Sequence, residues 1–162
     1  MRNRAPVRRA LAAAAGTALL LTGTVAFTPA ASAHTVQSAP SAAPLSAGDG
    51  TPAGAVAWYK AHIGSTAYQN YCELAAEKAY GTSGVWASAN AHWNGAGPKH
   101  TTGTPPAGSF VYWNISAYGH VGISDGKGGA YASSVKGAIG HITSLSYFAN
   151  YRGWTPGAVP HT

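Results

Sequence analysis

Charge is what this chain has least of. Four acids, Asp49, Glu73, Glu77 and Asp125, are all that occur in 162 residues, and charged residues make up 9% of the chain, where a soluble domain carries about 25%. So few charges cannot weave a surface ion-pair network. Cysteine occurs once, at Cys72. No disulfide can form within the chain, and packing alone must hold the fold. The seven histidines include no HExxH motif and no pair at helical spacing, so neither a metal nor a cofactor is expected. Lys and Arg number ten, for a net charge of +6, but Arg2, Arg4, Arg8 and Arg9 all precede Ala33. Without them the balance is +2, with no basic cluster left to grip nucleic acid.

Those arginines open an export signal. "MRNRAPVRR" is a cationic start, "ALAAAAGTALLLTGTVAF" is an apolar stretch, and "ASA" at Ala31–Ala33 has the small-x-small form of a cleavage site. Residues 1–33 are therefore expected to be a cleaved signal peptide, by either the general or the twin-arginine route. The product is expected to be secreted, not anchored in a membrane. Residues 34–51, rich in Ala, Ser, Pro and Gly without period, read as a disordered linker. Residues 52–162 are left as one domain, expected to be monomeric, and large enough to bury about two-thirds of its surface.

Within that domain the pattern predicts helices first. Thr51-Pro52 is an N-cap followed by Pro at the first helical position, and the helix after it closes at Gly64. A second helix is predicted over 70–80, capped by Asn70 with Glu73 as its capping-box partner and Gly81 as its stop. "SGVWASANAHW" predicts a short third. After the loop 94–108 the texture turns aromatic and β-branched. "SFVYWN" reads as a buried strand and "HVGIS" as an alternating one; "AYASSV", "AIGHIT" and "RGW" are expected to follow as strands. Helices followed by an antiparallel sheet make the class α+β.

The lone thiol carries the chemistry. A free cysteine is ordinarily core packing, but an exported chain tends to lose an unpaired thiol that it neither pairs nor uses. At a helix start, free N–H groups and the helix dipole favour thiolate. A histidine on the facing sheet could take the thiol proton, and the helix N–H groups could hold an oxyanion. His120, at the head of a strand and opposite the Val121/Ile123 face, fits best. His62 and His92 are explained by helix ends and His141 by strand packing.

"NYCELAAEKAYG", then "PPAGSFVYWN", then "GHVGISDGKG" resembles the NlpC-type and CHAP-type cysteine peptidases and amidases of the papain-like class, over roughly residues 56–156. The resemblance implies a papain-like α+β fold and hydrolysis of peptidoglycan amides through a thioester. It implies Cys72 as nucleophile and His120 as base. The family's Asp-Cys-Ser-Gly is Tyr71-Cys72-Glu73-Leu74 here, and Ser109 stands where an Asp often follows the strand's Gly. The position of the polar residue that orients the histidine is Ala132. Hairpin pairing offers Ser133 or Ser134 instead, with Ser133 carried forward; Asn114 and Asp125 are further candidates. Tyr71, Trp93 and Tyr118 are expected to border the groove and bind substrate. Two alternatives stay open: a non-catalytic wall-binding domain that kept the fold, and a small secreted protein with a buried structural cysteine.

Overall fold

The computed structural model describes residues 47–162. The expected signal peptide, 1–33, and most of the expected linker lie outside those residues. The linker's last residues do not behave as a linker. Asp49 accepts from the Thr51 amide and hydroxyl. Gly48 lies directly against Gly81, both at positive φ (72° and 75°), a conformation and closeness that a Cβ would forbid. The folded unit therefore begins before Thr51.

Helix α1 spans Pro52–Ala61, α2 Cys72–Ala79 and α3 Ala89–Gly95; strands β1 Phe110–Trp113, β2 His120–Ser124, β3 Ala130–Val135, β4 Ala138–Ile142 and β5 Tyr151–Thr155 follow. The class is α+β, as the sequence predicts. α1 starts as expected: Thr51 Oγ1 accepts the Gly54 amide at 2.9 Å and Pro52 opens the helix. α2 starts two residues later than expected. Its cap is Tyr71, which makes no side-chain capping bond, and Asn70 sits at φ 66°. Cys72 is thus the first helical residue, and Glu73 closes no capping box because its carboxylate is bonded elsewhere.

The predicted third helix is halved. Residues 83–88 are not helical because buried Glu77 takes the amides of Gly84, Val85 (3.0 Å) and Trp86 (2.7 Å). Ser88 then caps α3, accepting from the Ala91 amide at 3.1 Å.

The strands form one antiparallel sheet in the order β4-β3-β2-β1-β5. Register decides its faces. Tyr112 pairs with Val121 and Phe110 with Ile123, and this face packs against Ala55, Tyr59, Ala75, Ala76 and Ala79 of the helices. The small residues of α2 let it lie close on the sheet. Trp113 pairs with His120 and Val111 with Gly122; that face is covered by Leu145, Phe148, Tyr151 and Trp154. Both faces are therefore dry, which is why β1 and β2 are buried along their whole length.

β3 departs from β2 after Ala132. A bulge there, with Ser134 at φ 62°, shifts the register against β4 and leaves the head of β2 without a strand partner on that side.

Candidate functional site

The unpaired head of β2 is where the thiol arrives. The Val121 N–H points at Cys72 Sγ, and that N–H belongs to the peptide joining His120 to Val121. Backbone dimensions then place Sγ within roughly 6 Å of the His120 Cα. The two residues meet at one peptide group although 48 residues separate them in sequence.

Their side chains are not joined. His120 is 5% exposed, and its ring lies 4.5 Å from the Phe148 ring and 5.8 Å from that of Trp113. Its Nε2 is buried with no hydrogen-bond partner, and so is the Ser133 hydroxyl. Ser133 reaches the imidazole through its backbone carbonyl, so the orienting hydroxyl contact is not made. The expected thiolate–imidazolium pair is not formed either. Burial pushes the Cys72 thiol up, against the pull of the Val121 amide and with a further push from Glu73. Burial also pushes His120 down to about 4. Both groups rest neutral because neither charged form is solvated there.

Burial of His120 has a consequence for stability. An unfolded histidine takes up a proton near 6.5, the native one only near 4. Between those values the unfolded chain binds more protons, so stability present above pH 6.5 is lost as pH falls toward 4 and levels off below. The 2.5-unit interval corresponds to about 3 kcal/mol. We expect His120→Phe to flatten the fall in melting temperature between pH 6.5 and 4, read by circular dichroism; an unchanged slope would mean that His120 is not the titrating group.

The other expected site residues divide. Tyr71 and Tyr118, 62% and 74% exposed, flank a cavity of about 350 Å³ that also touches Cys72, Glu73, Leu74 and Trp86. Trp93 does not border it. Its ring is buried against Tyr112, and Arg152 stacks over it at 5.1 Å. Trp93 is core because α3 begins late and turns that face onto the sheet. Asp125 does not approach His120. It accepts from the Lys127 and Gly129 amides and pairs with His141 at 2.8 Å, closing the β2–β3 turn. Asn114 offers its carbonyl to Asn150 and makes no contact with His120.

A further pair went unread in the sequence. Glu73 Oε1 accepts from His92 Nδ1 at 2.8 Å, both groups buried. The His92 ring is sandwiched by Trp86 (5.6 Å, 9° between planes) and Phe110 (4.6 Å). Burial pushes the Glu73 carboxyl up, and the bond to His92 pulls it back. A spacing of 19 residues is no local signal. The one clue was that Glu73, an acid beside the thiol, had no other stated partner.

Asn90 fixes the loop that leads into β2. Its side chain donates to the Ala117 carbonyl at 2.9 Å and accepts from Arg152 at 2.8 Å, while its amide donates to the Tyr118 carbonyl. Gly119, at φ 72°, packs so closely on Asn90 that no Cβ fits. Tyr118 and His120 are both positioned by this contact.

No clusters of His, Cys, Asp or Glu able to hold a metal occur among the described residues. Comparison with models of known families, with curated proteins and with solved structures gives no match.

Proposed function

We propose that this chain is an exported papain-like cysteine hydrolase that cleaves amide bonds of wall peptides. The observation that carries this is the thiol at the first turn of α2, held against the peptide that bears His120, at the edge of an aromatic-walled cavity. The neutral imidazole accepts the thiol proton as Sγ bonds to the substrate carbonyl carbon. The oxyanion is taken by unpaired N–H groups at the start of α2. Collapse of the tetrahedral adduct expels the amine, which leaves with the proton held on His120. Water, deprotonated by the same imidazole, then attacks the thioester and releases acid and thiol. Sequence resemblance supplies the substrate class, peptidoglycan.

A second reading is a wall-binding domain without turnover. The unpartnered His120 Nε2 and Ser133 hydroxyl favour it, since a working base is usually held by a partner at its second nitrogen. A buried structural cysteine is disfavoured because Cys72 lines the cavity. Digestion of purified peptidoglycan, with the released fragments weighed, separates the readings. Hydrolysis adds one water at each cut amide. An intact wall that nonetheless retains the chain would overturn the hydrolase in favour of the binder.

A further inference from the structure

The cavity beside Cys72 has walls of one charge. Glu73 and Glu77 line it, and no Lys or Arg does. Glu77 is spent on the amides of residues 84–86. Glu73 is only half spent: Oε1 holds His92, while Oε2 is buried with no partner in a residue 7% exposed. An acceptor left buried and unpaired is costly, and here it borders a space that a ligand can enter. The remaining walls include Tyr71, Trp86 and Tyr118, whose ring faces attract cations.

We infer that this cavity is a subsite for a primary ammonium group, which donates to Glu73 Oε2 and rests against the aromatic rings. His92 supplies Nδ1–H to the other oxygen and holds the carboxylate in place. Cys72, adjacent in sequence, brings the scissile amide within a few bonds of that ammonium. The inference rests on the reading of this cavity as the substrate cleft. It adds the substrate class: peptides that present a free amino group beside the amide to be cut.

The test is a titration of residues 34–162 with n-butylammonium and with 1-butanol, followed by amide shifts of residues 84–89 in nuclear magnetic resonance spectra. A charged donor on a buried carboxylate predicts at least about tenfold tighter binding of the ammonium. Glu73→Gln, which keeps an acceptor for His92, is expected to cut that preference to about twofold or less. Tyr118→Ala, on an exposed residue, is expected to weaken ammonium binding about threefold with the fold intact. Equal affinity for alcohol and ammonium, no shift with either, or an undiminished preference in Glu73→Gln would overturn the inference. Because the titration reads binding without turnover, it is independent of cleavage. Ammonium preference in a chain that cuts no wall would retain this subsite and remove the hydrolase. Wall cleavage without the preference would do the reverse.

Discussion

Cys72→Ala is expected to abolish cleavage of wall peptides, and His120→Ala to lower it at least about a thousandfold, with near-ultraviolet circular dichroism unchanged. The two losses have different causes. Without Sγ no thioester forms. Without the imidazole the thiol must ionise unaided, in a place where burial has already pushed its pKa up. A cysteine activated by a standing ion pair would keep some reactivity after losing its base; a neutral pair keeps almost none. The pH profile should separate these cases. His120 must be unprotonated to accept the thiol proton, and its pKa is about 4. The acid limb of the rate should therefore fall below about pH 4, not near the 6.5 of an ordinary histidine. Ser133→Ala should cost about tenfold or less, because its hydroxyl has no bond to lose in the resting site. His141→Ala should leave the rate intact, since that ring is bonded to Asp125 at the β2–β3 turn. A limb near 6.5, or equal losses at His120 and His141, would refute the assignment.

Glu77→Ala is expected to be the most destabilising single change in the described domain. Glu77 is 1% exposed, and its carboxylate satisfies three consecutive amides of the 84–86 loop. Alanine would leave three buried donors without acceptors and a hole beneath Trp86. Each unsatisfied donor costs about 1–3 kcal/mol, less whatever water recovers, so a loss of about 3–5 kcal/mol is expected. In a domain of this size that lowers the melting temperature by roughly 10–20 °C. Glu77→Gln keeps one acceptor oxygen but turns an NH₂ toward an N–H, and should fall between. Lys78→Ala, on the neighbouring exposed side of α2, should move the transition by no more than a few degrees. Thermal unfolding of the three variants checks the order. A Glu77→Ala melting point close to that of Lys78→Ala would mean that the loop does not depend on the carboxylate.

The loop shows why part of the site was hidden in the sequence. "SGVWASANAHW" has the composition of a helix, and local propensity reads it as one. It is opened because Glu77, one turn from the end of α2, captures amides seven to nine residues on. Three buried charge-assisted bonds outweigh a few tenths of a kcal/mol of propensity per residue. Glu73 is the same lesson on a longer span. Its position three after Asn70 matches a capping box, but a buried imidazole across the fold is the better donor. Trp93 read as a groove aromatic because the sequence cannot say where α3 begins, and a shift of the helix start rotates every side chain on it.

What the sequence determined by itself is what short-range geometry dictates. Thr51-Pro52 starts a helix, Gly81 ends one, and the alternation of "HVGIS" puts Val121 and Ile123 on one face and His120 on the other. These follow from backbone sterics and from periods of 3.6 and 2, and they were enough to place the thiol at a helix start and the histidine at a strand head. Tertiary structure alone decided what surrounds them. The departure of β3 at Ser133–Ser134 freed the Val121 amide for Cys72. Phe148 and Trp113, 28 and 7 residues from His120, dried its ring. Protonation state is set by desolvation, which sums over every neighbour in space and has no period along the chain. The sequence could therefore name the nucleophile and the base, while only the packed fold could make both of them neutral.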